Sequence, residues 1–291
     1  MAIPIPRRKK TEVAGDFGKI RVHRHELEGE PEGALPWFTL ELLDWVCIAA
    51  VTPDGRWILV RQHRQGVNDL TIETAGGIVD PGEDPAESAL RELREETGWE
   101  ADHAEPLGWI HPNPALQGNR CHLYLARDAR PVDGWKAAED EITEPVVMTE
   151  TELRRALNAT EISHVLSAIT LERGLSRVHS DHLFRKVFAL LDQMEETQRV
   201  KVLELARRLV PGLTAEDIRN PHDFPDLADP DWHFMDGQLT GVQSVRFAMV
   251  GLRNEETASM ESAPAKGDAQ GEAAHAAKAP GERAHGEGPQ R

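Results

Sequence analysis

Glu92, Glu95 and Glu96 stand at i, i+3 and i+4 in the segment GIVDPGEDPAESALRELREETGW, Gly77 to Trp99. On a helix that spacing gathers the three carboxylates into one patch, at a cost of roughly 0.2–0.5 kcal/mol per like-charged pair, and more where the patch is partly buried. Arg91, one turn before Glu95, neutralises part of the patch as an ion pair. The remainder suits a hard divalent cation that takes oxygen ligands, Mg²⁺ or Mn²⁺. Magnesium keeps several waters and combines one or two carboxylates with substrate phosphates, so such a patch is fitted to dock a diphosphate. Taken alone, a Glu- and Arg-rich string reads more simply as a solvated helix face.

The helix that must carry these groups is well specified. Asp84 is the N-cap, Pro85 takes the first helical position, Glu87 follows three residues after the cap, and Gly98 ends the helix. Ala86, Ala89, Leu90, Leu93 and Thr97 fall in one arc that packs inward. Around it, up to about Gly174, short β-rich runs alternate with turn signals: KIRVHRHELE, FTLELLDWVCIAAV, RWILVRQHR, LTIETAGG, LGWIH, CHLYLA and PVVM. TPDGR, between Val51 and Trp57, is a hairpin turn with Pro53 presetting φ. A Thr149-x-x-Glu152 capping box starts a second helical region, read through EISHVLSAITLER with Gly174 as its stop. The pattern predicts an α/β domain with a mixed sheet.

From Ser180 the apolar period becomes 3.6, with Leu183, Val187, Leu190, Leu191 and Met194 on one face, then Val202, Leu205, Ala206 and Leu209. A Pro- and Asp-rich loop, NPHDFPDLADPDWHF, precedes an amphipathic stretch from Leu239 to Leu252. His222, Asp223, Asp226, Asp229, Asp231 and His233 in that loop have no EF-hand spacing and read as a polar cap on a helix pair. The resulting division is a flexible basic N-terminus (1–16), an α/β domain (17–175), a helical extension of unknown role (176–253) and a disordered tail (254–291).

Composition narrows the partners. In 291 residues, 33 basic against 50 acidic side chains give 33 − 50 = −17, which opposes binding to a nucleic-acid backbone or an anionic membrane. The run Trp45 to Val51 is far short of the ~20 residues a spanning helix needs, and MAIPIPRRKK lacks an apolar stretch after its positive charge. Cys47 and Cys121 lie inside apolar runs and read as buried thiols rather than a disulfide framework. The expectation is a cytoplasmic protein with a small-molecule substrate, no nucleic acid and no membrane.

The spacing Gly77-x5-Glu83-x7-Arg91-Glu92-Leu93-x-Glu95-Glu96-x-Gly98-Trp99 matches the signature of the Nudix hydrolases at every position, with Trp99 in place of the usual aliphatic end. The resemblance covers about Phe17 to Gly174 and implies an α/β/α sandwich with a mixed sheet, followed here by the C-terminal helical extension. By motif position, Glu92 and Glu96 resemble the main metal ligands, with Glu95 and the Gly76 carbonyl as further ligands. Glu83 resembles a stabiliser of the loop and helix, and Arg91 the orienter of the helical glutamates.

Flanking residues are similar to the ADP-ribose pyrophosphatase branch: Gln62-His63-Arg64, where the arginine meets the substrate diphosphate; Glu73-Thr74-Ala75-Gly76-Gly77, with Ala75 replacing the usual proline; and Pro114, fifteen residues after Trp99. Within AAEDEITEP, which also holds Asp140 and Glu144, Glu141 or Glu139 would act as general base. Trp37 or Phe38 would stack on adenine, as in dimeric relatives that share an amino-terminal region, so a homodimer is compatible with the resemblance. It implies a Mg²⁺- or Mn²⁺-dependent pyrophosphatase acting on ADP-ribose or a related nucleoside diphosphate sugar. The alternatives are hydrolysis of a dinucleoside polyphosphate or oxidised nucleotide, and a nucleotide-sensing module.

Overall fold

The computed structural model describes Ile3 and residues 5–31, 33–136 and 143–261, with side chains to residue 255. Its centre is a seven-stranded mixed sheet. β4 (Trp45–Val51) runs parallel to β10 (Cys121–Ala126), and every other pairing is antiparallel: β4 with β5 (Arg56–Arg64) and β7 (Ala75–Ile78), β5 with β6 (Asp69–Glu73) and β12 (Thr143–Thr149), and β10 with β9 (Ala104–Ile110). β8 (Trp99–Glu100) and β11 (Arg130–Pro131) make a short separate pair.

Period-two alternation divides the core into two layers. Val46, Ile48 and Ala50 of β4, Ile58 of β5 and Tyr124 of β10 face α1 (Pro85–Thr97), which contributes Ala89 and Leu93. Ala49, Val51, Trp57, Leu59 and Leu125 face the opposite way, onto Leu153 and Ala156 of α2 (Glu150–Asn158) and Leu171 and Leu175 of α3 (Val165–Leu209). The result is the expected α/β/α sandwich.

Two continuous β-rich runs are each split between partners. FTLELLDWVCIAAV breaks at Leu42–Asp44, where Asp44 Oδ1 accepts from the Arg120 N–H at 2.7 Å; β3 (Trp37–Glu41) goes to one sheet and β4 to another. LTIETAGG breaks at Thr74, whose N–H donates to Ser167 Oγ at 3.0 Å, so that β6 pairs with β5 and β7 with β4.

Within the N-terminal tract expected to be flexible, residues 8–16 are a strand. Arg8–Asp16 form β1, antiparallel to β2 (Arg21–Leu27), which pairs in turn with β3. Little of β1 is buried, so its order rests on the backbone ladder and on buried His25, whose ring nitrogens meet Thr11 Oγ1 at 2.9 Å and Thr39 Oγ1 at 2.7 Å. A count of apolar residues cannot register that kind of order.

Gly174 does not stop a helix, and residues 175 and 176 are not a boundary in secondary structure: α3 runs unbroken from Val165 to Leu209. The glycine instead allows close approach to the sheet. A Cβ there would lie 3.3 Å from Ala49 Cβ and from the Trp57 ring. Gly174→Leu is expected to lower stability by about 1–3 kcal/mol through overpacking, read as a reduced urea midpoint at unchanged m. Gly174→Ala should stay near neutral, because a helix-propensity gain of up to ~1 kcal/mol offsets a tight fit. Equal losses for both would point to backbone conformation rather than space.

Beyond the sandwich, α3 is followed by short 3-10 turns over residues 217–227 and by α4 (Pro230–Glu261). The Pro- and Asp-rich loop does cap the helix pair, and it does so by burying Leu227 and Trp232 against Val202, Ala206 and Leu213. Cys47 and Cys121 are buried and unbridged. Among the described residues no helix is long and apolar enough to cross a membrane. The tail beyond residue 261 lies outside the described residues.

Candidate active site

Helix α1 begins and ends as its sequence dictates. Asp84 Oδ1 accepts from the N–H groups of Ala86 at 2.8 Å and Glu87 at 3.3 Å. Gly98 adopts φ 72° and donates to the Arg94 carbonyl at 3.0 Å. A side chain at this position would also run into the Trp135 ring.

One face of α1 lies on the β7 glycines. Glu92 and Glu96 are buried beside Gly76 and Gly77, and Glu96 Oε2 accepts the Gly76 N–H at 2.9 Å. A Cβ on Gly77 would land on the Glu92 carboxylate, so only glycine leaves room for that group. Glu95 points elsewhere: it is half exposed and accepts from Arg91 Nη1 at 2.9 Å.

Arg91 organises this face. Its Nε and Nη2 donate to the two carboxylate oxygens of Glu83 at 3.0 and 3.2 Å, while Nη1 reaches both Glu92 and Glu95 at 2.9 Å. The fork ties the loop before α1 to the helix and fixes Glu92 against the glycines. Hydrogen bonding from Arg91 holds the Glu83 carboxyl down to about 2, from a usual 4.5. A depressed folded-state value contributes stability above about pH 4.5 that is lost as pH falls towards 2. The thermal midpoint gap between the native chain and Glu83→Gln is therefore expected to be largest near neutrality and to close across that window. A constant gap would assign the loss to geometry rather than charge.

Arg64 and Glu73 form the second half of the site. Arg64 Nε and Nη2 donate to Glu73 Oε1 and Oε2 at 2.9 and 2.8 Å. Glu73 is only 1% exposed, and it also accepts from Thr71 Oγ1 at 2.6 Å and meets His164 Nδ1 at 3.0 Å. Burial pushes its carboxyl up, but the hydrogen bonds from Arg64, then His164 and Thr71, outweigh burial and hold it well below the usual range. Because Glu73 takes one edge of the guanidinium, the Nη1 edge of the 44%-exposed Arg64 side chain stays available to an anion.

These groups meet at a cavity of about 300 Å³ lined by Trp45, Arg64, Glu73, Gly76, Gly77 and His164. Of the residues expected to act, Arg64, Glu73, Gly76 and Gly77 line it, with Glu92 and Glu96 directly behind the glycines. Trp37 and Phe38 do not: both are exposed on β3, with Trp37 Nε1 donating to Glu30 at 2.7 Å. Pro114 lines a separate cleft of about 1050 Å³ between the β1–β3 sheet and the loops around residues 80 and 117. Glu139, Asp140 and Glu141 lie outside the described residues. Glu144 pairs with Arg61 at 2.7 Å, and Thr143 Oγ1 donates to the Glu96 carbonyl at 3.2 Å.

His164 and Ser167 were not anticipated. His164 is the N-cap of α3, and its Nδ1 lies 2.9 Å from the same Ser167 Oγ that meets Thr74 N–H. The signal was a short break between α2 and α3, hidden by reading SHVLS as helix interior.

Acidic donors beside a glycine-lined strand suit a hard divalent cation: Glu92 and Glu96 supply buried carboxylates, and the Glu92 carboxylate is seated in the space a Cβ on Gly77 would fill. Among the described residues of the ligand-free chain, no three acidic, His or Cys side chains already converge as a complete metal cluster. Substrate phosphates and water complete such sites in the usual magnesium arrangement.

An arginine fork over a buried glutamate, beside two helical carboxylates seated on glycines, defines a class. Residues 42–168 match the family described as NUDIX domain. Among curated proteins it is similar to the ADP-ribose pyrophosphatase of Bacillus subtilis, 30% identical over 125 residues, covering 43% of this chain and 66% of that protein. It is also similar to the methanol dehydrogenase activator of Bacillus methanolicus, 31% identical over 105 residues (36% and 57% covered). A third relative is the ADP compounds hydrolase NudE of Escherichia coli, 27% identical over 108 residues (37% and 56%). The chain thus spans between about half and two thirds of these relatives. The family match ends near the start of α3, so α4 and most of α3 lie beyond it.

Proposed function

We propose that the chain is a divalent-metal-dependent pyrophosphatase that hydrolyses ADP-ribose or a related nucleoside diphosphate sugar to AMP and a sugar phosphate. The observation that carries this reading is the convergence on one cavity of the Arg64 outer edge with Gly76 and Gly77, behind which Glu92 and Glu96 are seated. Two relatives named for ADP-ribose and ADP compounds support the substrate class.

Glu92, Glu96 and the Gly76 carbonyl would hold Mg²⁺ or Mn²⁺, with Glu95 as a further ligand from the half-exposed side. The cation supplies charge neutralisation at the diphosphate and lowers the pKa of water. Arg64, locked by Glu73, binds the diphosphate through its free edge and counters charge on the leaving phosphate. Water adds to one phosphorus, the bridging P–O bond breaks, and the departing phosphate takes the electron pair. Glu141 or Glu139 accepts the water proton, a role supported by the seating of neighbouring Thr143 on the Glu96 carbonyl. An adenine-stacking role for Trp37 and Phe38 draws no support from the geometry of a single chain.

The test is turnover of ADP-ribose, diadenosine polyphosphates, sugar nucleotides and 8-oxo-dGTP with Mg²⁺ or Mn²⁺, with products resolved chromatographically. ADP-ribose leading the panel and yielding AMP sustains the proposal. A preference for diadenosine polyphosphates or 8-oxo-dGTP replaces the substrate class. Nucleotide binding without cleavage of any compound would make the domain a sensor.

A further inference from the structure

His164 is an unusual residue for its place. N-cap positions favour Ser, Thr, Asp and Asn, whose side-chain oxygens accept from the first helical N–H groups, yet the His164 side chain makes no such bond. It turns instead to the buried wall of the active-site cavity, where Nδ1 lies 3.0 Å from Glu73 Oε2 and 2.9 Å from Ser167 Oγ. Both partners are buried, and Ser167 is itself anchored by the Thr74 N–H. Glu73 has other donors on both oxygens, the Arg64 fork and Thr71 Oγ1, so the contact with His164 serves chiefly to hold the ring.

The same contact fixes the tautomer. An ionised carboxylate only accepts hydrogen bonds, so the proton of the neutral ring is held on Nδ1 and Nε2 is left as an acceptor. With the Nδ1 edge on buried groups, the exposed 30% of the side chain belongs to the opposite edge, which carries Nε2. Among the described residues Nε2 has no hydrogen-bond partner. A rigidly held acceptor therefore faces the cavity that Arg64, Gly76 and Gly77 also line.

Its position beside Arg64 indicates what it would meet. Arg64 Nη2 and His164 Nδ1 share one oxygen, Glu73 Oε2, at 2.8 and 3.0 Å, so a diphosphate on the outer edge of Arg64 lies next to the imidazole. Ionised phosphate oxygens are acceptors themselves and cannot bond to a lone pair. The nearest donors in a nucleoside diphosphate sugar are the hydroxyls of the sugars esterified to the two phosphates; a nucleobase amino group stands a whole sugar further away. Trp45, on the wall of the same cavity, adds the apolar surface that usually surrounds a few orienting polar groups.

We propose that His164 is a specificity-determining residue whose Nε2 accepts a hydrogen bond from a hydroxyl of a sugar attached to the diphosphate, in an orientation held by Glu73 and Ser167. This contact rests on the substrate class proposed above, and it identifies which part of that substrate the chain reads.

The test compares kcat/KM of the full chain and of His164→Phe and His164→Gln on ADP-ribose and on analogues each lacking one ribose hydroxyl. The native chain should disfavour one analogue by roughly tenfold, the worth of one partly exposed hydrogen bond. His164→Phe should treat that analogue and ADP-ribose alike, whatever loss it shows on both. His164→Gln, whose side-chain carbonyl can accept in place of Nε2, should regain part of the preference for the same hydroxyl. A preference that survives His164→Phe, or a uniform loss with no preference in the native chain, overturns the proposal and makes the histidine structural. A His164-dependent preference for adenosine over inosine in its place, with none among the hydroxyls, moves the contact to the base and overturns the sugar assignment. Calorimetric titration of ADP-ribose separates the two levels: a native chain that neither binds nor cleaves it overturns the substrate class and this contact together, whereas normal turnover without hydroxyl discrimination overturns the contact alone.

Discussion

Glu96→Gln is expected to lower kcat on the best nucleoside diphosphate substrate by roughly a thousandfold, or about 4 kcal/mol, with the fold intact. Glu96 is buried on the β7 glycines, and its hydrogen bond from Gly76 can be kept by the glutamine carbonyl oxygen, so volume and packing are preserved. What disappears is one negative charge where the cation would sit beside the diphosphate. Glu95→Gln gives the contrast. Its carboxylate is half exposed and held by Arg91, so a loss of about tenfold is expected there. Steady-state kinetics on both variants, with calorimetric titration of Mn²⁺ as an activity-independent readout, checks the pair. Equal losses would show that Glu95 is as close to the chemistry as Glu96; an active Glu96→Gln would remove the metal assignment.

Arg64→Ala is expected to fail twice, in stability and in catalysis, and the two failures can be separated. Removing the guanidinium strips a 1%-exposed carboxylate of the two hydrogen bonds that Arg64 donates. Breaking a fully buried pair costs about 3–5 kcal/mol, but the Arg64 side chain is 44% exposed and His164 and Thr71 remain, so roughly 1–3 kcal/mol is expected. The stability loss should be recovered in large part by Arg64→Ala with Glu73→Gln, which leaves no buried charge unpaired. Turnover should not be recovered, because the diphosphate still lacks its cation: kcat/KM is expected to stay down about a hundredfold in both variants. Denaturant unfolding and kinetics on the same preparations give both readings. Recovery of activity in the double variant would show that Arg64 serves only to neutralise Glu73.

How much of this was legible in advance follows from the range of the signals. The limits of α1 were readable because an N-cap aspartate, a first-turn proline and a terminal glycine act within a few residues of one another. The Glu83–Arg91 tie was legible through the resemblance of the motif, and the structure shows the bidentate contact that performs it. Gly174 misled because a glycine after an apolar run is a stop signal only when the backbone turns left-handed there. Here the backbone stays helical, and the glycine answers to Trp57, more than a hundred residues earlier in the chain.

The sequence by itself determined the local elements, the alternation that sorts strand residues into two layers, and the carboxylate patch on α1, all of which depend on neighbours within a turn or a strand. Only the tertiary structure decided that Glu92 and Glu96, but not Glu95, sit against the glycines of β7, that His164 shares Glu73 with Arg64, and that the long helix leaves an apolar face uncovered. Those facts depend on which strand kinks at Thr74 and where α3 crosses the sheet. They are long-range packing choices that no periodicity along the chain encodes.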